Sequence, residues 1–175
     1  MSLNLFGGAI TATAPSGLLD ASDIRQVPDT QEVFLFPNSG VSIIVEILER
    51  VKPTHYEEAV KFHFGSLAHD NSATSEKVDA ITVIPNDRGD RTPSAIVLSG
   101  MQSVSKYNRE QVDEVRILMA LYRVEEKPID LVVTFNVPLT SADGGAVSAE
   151  GLKTVEGQFD TFIRSLRIVD YGLFA

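Results

Sequence analysis

The stretch "SIIVEILERV", from Ser42 to Val51, decides the fold of this chain. Its apolar positions fit a helix as well as a strand, but three consecutive β-branched residues at 43–45 favour a strand. Successive side chains of a strand point to opposite faces, so Ile44, Glu46 and Leu48 share one face and residues 43, 45 and 47 share the other. A segment this apolar is expected to be covered on both sides. Glu46 in its middle and Glu49 near its end therefore need an explanation.

The segments around this strand also have regular patterns. "LFGGAITATAP" and "QEVFLF" have the composition of strands, and Ser22 and Asp23 between them can start a short helical turn. Beyond the strand, Thr54-x-x-Glu57 has the form of a capping box and predicts a helix over "HYEEAVKFHFGSLA". The residues expected on the buried side of this helix are Tyr56, Val60, Phe64 and Leu67. "HDNSATSE" is expected to be a polar loop, and "AITVIP" a short strand.

Three strands in a row and a final helix complete the chain. The strands are "SAIVLSGMQSV", "EVRILMALYRV" and "IDLVVTFNVPL", and the short connection "EEKP" predicts that the last two form an antiparallel hairpin. Ser148 is expected to cap the final helix, "AEGLKTVEGQFDTFIRSL". This order of strands, helix, strands and helix predicts an α+β fold with a mostly antiparallel sheet covered by helices. We expect one domain over residues 1–175.

Composition excludes several classes of protein. The net charge is −9, so the surface repels phosphate backbones and anionic lipid, and neither nucleic acid nor a membrane is expected as a partner. The absence of cysteine excludes disulfides, zinc–thiolate sites and thiol catalysis. The sequence has neither a secretory pattern nor an apolar run of roughly 20 residues. We expect an intracellular, soluble monomer.

No motif for catalysis, a cofactor or a metal is present. The chain has neither Gly-x4-Gly-Lys-Ser/Thr nor Gly-x-Gly-x-x-Gly, so no phosphate cradle is recognisable. His55, His63 and His69 lack the i, i+4 spacing of a helical zinc site and are interpreted as packing or surface residues. Asp20, His63 and Ser66 could be imagined as a triad, but no Gly-x-Ser-x-Gly elbow supports it. We expect no catalytic residue, no cofactor and no metal site.

Glu46 and Glu49 have two interpretations. A carboxylate in an apolar sheet is costly unless it is paired, and one interpretation is an internal basic partner. The candidates for that partner are Arg25, Arg50 and Lys61. In the other interpretation the strand end reaches the surface, where both glutamates join Asp29 and Glu32 in an acidic patch that docks Lys or Arg of another protein. The residues alone leave both interpretations open.

A family resemblance extends over nearly the whole chain. The segments that carry it, in order, are "LFGGAI", "DASDIRQVPDTQEVF", "SIIVEILE", "FHF" at 62–64, "VLSG" at 97–100, "TFNVPL" at 134–139 and the closing "LFA". Together they resemble the Ran guanine-nucleotide-release factor family, and "RQVPDTQEVF" is the most specific of them. The closing "LFA" and "NVPL" are more similar to the fungal members than to the animal ones.

The resemblance implies both a fold and a function. It implies a six-stranded, mostly antiparallel sheet between helices, similar to the photosystem II PsbP subunit, and this number agrees with the strands predicted above. It implies a non-enzymatic regulator in the nucleus, with access to the cytoplasm, that binds the GTPase Ran, promotes nucleotide release and supports nuclear import. The alternative is an acidic adaptor that binds Ran or an import receptor without releasing nucleotide. The partner-binding positions that the family implies here are Glu46, Glu49, Asp29, Gln31 and Glu32.

Overall fold

The computed structural model of the chain describes residues 1–105, 112–142 and 144–175. The two α-helices are α1 (Tyr56–Asp70) and α2 (Ala149–Ser165). The first five strands are β1 (Ser2–Leu5), β2 (Ile10–Thr13), β3 (Leu19–Asp20), β4 (Gln31–Leu35) and β5 (Ser42–Glu49). The remaining strands are β6 (Ala73–Ile84), β7 (Ala95–Ser105), β8 (Val112–Val124), β9 (Ile129–Pro138) and β10 (Arg167–Ile168). Short 3-10 turns cover Phe6–Gly8, Ala21–Asp23 and Tyr171–Phe174.

One large antiparallel sheet forms the centre of the molecule. Its strand order is β3-β4-β5-β9-β8-β7-β6, and β1, β2 and β10 form a second, three-stranded sheet. The predicted α+β fold with an antiparallel sheet is confirmed. The six longer strands, β4 to β9, agree with the six that were expected, and the two-residue β3 adds a seventh at the edge. The predicted strand Ser42–Glu49 lies between β4 and β9.

The two helices cover opposite faces of this sheet. Val60 and Phe64 of α1 pack with one set of residues from β8 and β9, which includes Ile117, Met119 and Val132. Residues 155, 159, 162 and 163 of α2 belong to the other core, and the ring of Phe135 meets those of Phe159 and Phe162 edge-on at 5.1 and 5.5 Å. Neighbouring residues of β8 and β9 therefore enter different cores, as the alternation of side chains along a strand requires.

Three local predictions were wrong or only partly right. The N-cap of α1 is His55, which makes no side-chain capping bond, and Tyr56 at the start of this helix is 40% exposed rather than buried. Residues 73–76, predicted as loop, belong to the twelve-residue strand β6. This strand lies at the edge of the sheet and exposes most of its side chains, so it has no apolar alternation to reveal it. Ser148, in contrast, caps α2 as predicted, and its Oγ accepts the N–H of Gly151 at 3.0 Å.

None of the helices in the described ranges is long and apolar enough to cross a membrane.

Candidate functional site

Glu46 and Glu49 line a cavity of about 300 Å³ between β5 and helix α1. Glu46 stands between Gln31 of β4 and Val132 of β9, on the sheet face that α1 covers. Helix α1 contributes Phe62, His63, Ser66 and Asp70 to the same cavity. We call it the acidic cavity, because three carboxylates, those of Glu46, Glu49 and Asp70, line it.

Glu46 is half-buried and has a neutral partner. The side-chain amide of Gln31 donates to Oε2 of Glu46 at 3.2 Å. Burial raises the pKa of Glu46, Asp70 raises it further, and the Gln31 hydrogen bond and His63 oppose that rise. The carboxylate therefore has a cost of ionisation that a nearby cation would relieve.

The internal basic partner considered for the two glutamates is not observed. None of the salt bridges among residues 1–105, 112–142 and 144–175 includes Glu46 or Glu49. The candidates Arg25, Arg50 and Lys61 thus lie outside the 4.0 Å limit of an ion pair with either carboxylate. Glu49 is exposed at the end of β5. Both negative charges are left for a cation from outside the described chain.

A buried ion cluster lies beside the acidic cavity. Asp130 on β9 is fully buried, and its Oδ1 accepts Nε–H of Arg123 at 3.0 Å. Its Oδ2 lies 2.8 Å from Nε2 of His63 on α1. Burial alone would raise the pKa of Asp130, but the hydrogen bonds from His63, from the backbone of Val51 and from Arg123 outweigh burial and lower it. We call these three side chains, His63, Arg123 and Asp130, the buried clamp.

The buried clamp fixes the segment that joins β5 to α1. The N–H of Val51 donates to Oδ2 of Asp130 at 3.2 Å, and the Arg123 guanidinium donates to the carbonyls of Val51 and Pro53 at 2.8 and 2.6 Å. The first residue that the clamp holds, Val51, lies two residues after Glu49. The clamp therefore sets where the end of β5 lies relative to α1, and with it the shape of the acidic cavity.

The structure brings some of the predicted site residues together and separates others. Gln31 meets Glu46 across the β4–β5 pair. Asp29 is exposed in the turn before β4, and the neighbouring Thr30 carbonyl accepts the N–H of Ile47 at 2.9 Å, so this turn lies beside the end of β5. The predicted acidic patch therefore has Asp29 at its edge.

Glu32 lies on the opposite face of the β4–β5 pair from Glu46. It faces Val45 across the β4–β5 pair, one position away from the pair that Gln31 and Glu46 form. Its Oε1 accepts the N–H of Phe6 at 2.7 Å, where Phe6 has a positive φ of 51°. A one-residue step along a strand reverses the face, so Glu32 supports the "LFGG" turn on the other side of the sheet.

Sequence reasoning missed the contributions of α1 and of the buried clamp. Phe62 is 52% exposed at the cavity, and Asp70 adds the third carboxylate. A signal for the clamp was present: Asp130 lies in the strongly apolar stretch "IDLVVTF", where a single carboxylate is costly unless it is paired. The hairpin register then places Arg123 directly opposite Asp130. A buried aspartate opposite an arginine predicts an ion pair.

The geometry does not assemble the triad that was considered. His63 pairs with Asp130, whereas Oδ1 of Asp20 accepts the N–H and the hydroxyl of Ser22 at 2.9 and 2.7 Å. Within the described part of the chain, no group of three or more His, Asp or Glu side chains could hold a metal ion.

The sequence and the fold place this chain in a known family. The family model described as "Ran-interacting Mog1 protein" matches residues 3–138, and the chain belongs to this family. Among its relatives, "Ran guanine nucleotide release factor" of Danio rerio is 34% identical, with 99% of this chain and 100% of the relative covered. "Nuclear import protein mog1" of Schizosaccharomyces pombe is 32% identical, with the same coverage. These identities do not favour the fungal relatives over the animal ones.

Solved structures agree with this assignment. The crystal structure of the Ran-binding protein Mog1p of Saccharomyces cerevisiae has a TM-score of 0.78 and 30% sequence identity, and covers 100% of this chain and 98% of that one. A structure of a glutamate-to-alanine variant of Mog1 has a TM-score of 0.77 at the same identity and coverage.

Proposed function

We propose that this protein binds the small GTPase Ran through the acidic cavity, promotes release of its guanine nucleotide and supports nuclear protein import. The observation that carries the site is the pair Glu46 and Glu49, which line an open cavity without a basic partner in the described chain. The partner and the activity come from the relatives, which are named for Ran interaction, for nucleotide release and for nuclear import.

Glu46 and Glu49 are the main contacts in this proposal, and a lysine or arginine of Ran is their partner. Asp29 and Gln31 lie beside the same end of β5, Gln31 holding Glu46 and Asp29 extending the negative surface. The family resemblance implies that Glu32 also contacts the partner. In this proposal Glu32 has an indirect role, because its carboxylate holds the Phe6 turn in place. Charge-assisted hydrogen bonds to a carboxylate are about twice as strong as neutral ones.

A mechanism follows without any chemistry on this chain. A GTPase holds the phosphates of its nucleotide with a lysine and a magnesium ion. Carboxylates presented to basic residues near that pocket compete with the phosphates for them. The protein needs only to bind the loosened state of Ran better than the filled one. A preference of about 3 kcal/mol would shift the population by roughly 150-fold. The protein acts as a monomeric regulator rather than an enzyme, in the nucleus with access to the cytoplasm.

The second candidate is an adaptor that binds Ran or an import receptor and leaves the nucleotide in place. It is favoured by the names of the two yeast relatives, which state nuclear import and do not state release. The experiment that separates the candidates follows fluorescent GDP and GTP bound to Ran while this protein is added. Faster release supports the first candidate. Binding of Ran without faster release supports the adaptor, and absence of binding contradicts both.

A further inference from the structure

The acidic cavity has a neighbour of opposite character. Glu49 and Arg50 follow each other in the sequence and line different cavities. The cavity lined by Arg50 has a volume of about 530 Å³, and Arg91, Arg123 and Tyr171 line it as well. We call it the arginine cleft. Its three guanidinium groups outnumber its two carboxylates, those of Glu125 and Glu126, in a chain whose net charge is −9.

Among the residues that the structure describes, Arg50 is the arginine of this cleft without a side-chain partner. Among the described residues, no ion pair and no side-chain hydrogen bond includes it, and its backbone N–H donates to the carbonyl of Pro128 at 2.9 Å. The backbone is thus held in place while the side chain keeps its donors. A guanidinium carries five N–H donors in a planar fork that matches a carboxylate.

Arg91 lines the same cleft, and Tyr171 fixes its position. Its guanidinium carbon lies 4.6 Å from the ring centroid of Tyr171, and the hydroxyl of Tyr171 donates to the Arg91 carbonyl at 2.7 Å. Its acidic partner, Glu126, forms an ion pair in which the two side chains are 64% and 71% exposed. Exposed pairs of this kind are worth little, so a carboxylate from a ligand can replace Glu126.

The remaining charges restrict what fits. Arg123 donates to Asp130 and to the backbone carbonyls at Val51 and Pro53, so most of its donors are already in use. Glu125 and Glu126 also line the cleft and repel a highly charged anion. The arrangement suits a single carboxylate on a protein segment, and it disfavours polyphosphate or nucleic acid.

We propose that the arginine cleft receives a carboxylate of the same partner protein whose basic residue enters the acidic cavity, with Arg50 as its main contact. This inference rests on the proposed function and deepens it. Glu49 and Arg50 are consecutive residues at the end of β5, and each of them lines one of the two cavities. The partner surface would then carry a basic group and an acidic group that reach this strand end from its two sides. Paired charges of opposite sign fix orientation as well as affinity.

The direction in which one substitution changes the affinity for Ran tests the inference. Arg50→Glu adds negative charge beside Glu49. If only the acidic cavity binds Ran, this change leaves the affinity unchanged or increases it. If the cleft receives a carboxylate, we expect the affinity for Ran, measured by titration calorimetry, to fall about tenfold or more. Arg50→Lys should keep more affinity than Arg50→Gln. Unchanged or tighter binding by Arg50→Glu would overturn the inference.

Two comparisons keep this result separate from the proposed function. Lys153→Glu, at an exposed position of α2, makes the same change in charge at a residue that does not line the cleft and should bind Ran as the wild type does. If Lys153→Glu weakens binding equally, the effect is one of net charge, and the inference is overturned as well. The double variant Glu46→Lys/Glu49→Lys is measured in parallel. If it loses Ran while Arg50→Glu does not weaken binding, the cleft inference is wrong and the proposed function stands; if neither variant weakens binding, both are wrong.

Discussion

The side-chain amide of Gln31 on β4 donates to Oε2 of Glu46, the residue directly opposite it on β5, at 3.2 Å. A neutral donor satisfies part of the carboxylate's hydrogen-bonding capacity and leaves its charge uncompensated. That arrangement suits a residue whose counter-charge comes from another protein. It also means that Glu46 is retained at some cost to the stability of the free chain.

Glu46→Gln should stabilise the free protein slightly at neutral pH. Burial raises the pKa of Glu46 in the folded state, so ionisation costs stability as pH rises above the ordinary value near 4.5. We expect a gain of less than about 1 kcal/mol in the free energy of unfolding, since the side chain is only half-buried. Urea unfolding at pH 7 measures it. A clear loss of stability would show that the ionised carboxylate supports the fold.

The affinity for Ran should fall as pH falls through the raised pKa of Glu46, because a protonated carboxyl no longer attracts a base. The comparison with Glu46→Gln separates the ionisation of Glu46 from that of other carboxylates in the two proteins. We expect the variant to bind more weakly and to have a shallower pH dependence. Affinities measured by calorimetry between pH 5 and pH 8 give both slopes. Parallel slopes for the two proteins would contradict a binding role for this ionisation.

Asp130→Asn should destabilise the protein strongly, because it leaves Arg123 buried without its counter-charge. Breaking a buried ion pair in this way costs about 3–5 kcal/mol. The matched control is Asp160→Asn, which removes an exposed i, i+4 pair with Arg164 and should cost about 0.3–0.5 kcal/mol. Chemical denaturation of both variants measures the difference, and similar costs would argue against the clamp.

The clamp also has a pH signature. The pKa of Asp130 is lower in the folded state than its ordinary value of 3.8. The ionised carboxylate therefore stabilises the fold fully above pH 3.8, and this stabilisation is lost as the pH falls toward the folded-state pKa. Acid unfolding of the wild type should therefore be steeper below pH 4 than that of Asp130→Asn.

Gly100→Ala should test how closely α1 lies on β7. A Cβ at this position would lie 2.6 Å from the carbonyl oxygen of Lys77 and 2.8 Å from the ring of Phe64. Both neighbours are fixed, one by the β6–β7 pair and the other by the core. We expect a cost of about 1–3 kcal/mol. Gly157→Ala on α2, which has open space around the added carbon, is the control and should be neutral or stabilising.

Glu32→Ala should show that Glu32 supports the fold, whereas Glu46 and Glu49 bind the partner. It removes the acceptor for the N–H of Phe6 and should cost about 1–3 kcal/mol of stability. Where the variant remains folded, its affinity for Ran should stay close to that of the wild type. A loss of Ran binding equal to that of Glu46→Lys/Glu49→Lys, with stability unchanged, would return Glu32 to the contact surface.

The sequence predicted the central strands well, because apolar alternation is a direct consequence of burial. The faces of Ser42–Glu49, the hairpin of β8 and β9 and the Ser148 cap all followed from local patterns. Strand β6 and the start of α1 did not. An exposed edge strand needs no apolar face. Thr54 and Glu57 have the spacing of a capping box, but the helix begins after His55 and no side-chain capping bond forms there.

The candidate site was only half predictable. Two acids in an apolar strand identify an anomaly, and the structure shows that neither has a basic partner in the described chain. The residues of β4 that lie opposite Glu46 were harder to predict. Gln31 and Glu32 are consecutive, so their side chains point to opposite faces of the sheet, and only the register shows which of them is near Glu46. The helix residues Phe62 and Asp70 reach the cavity only through tertiary packing, which no local pattern states.

The most direct test of the central claim is the rate at which Ran releases labelled GDP with Glu46→Lys/Glu49→Lys in place of the wild type. The matched control, Glu76→Lys/Glu156→Lys, makes the same change in net charge at two exposed positions on β6 and α2. We predict that the control accelerates release as the wild type does and that the first variant, with its fold intact, does not. Full activity of the Glu46→Lys/Glu49→Lys variant would contradict the account.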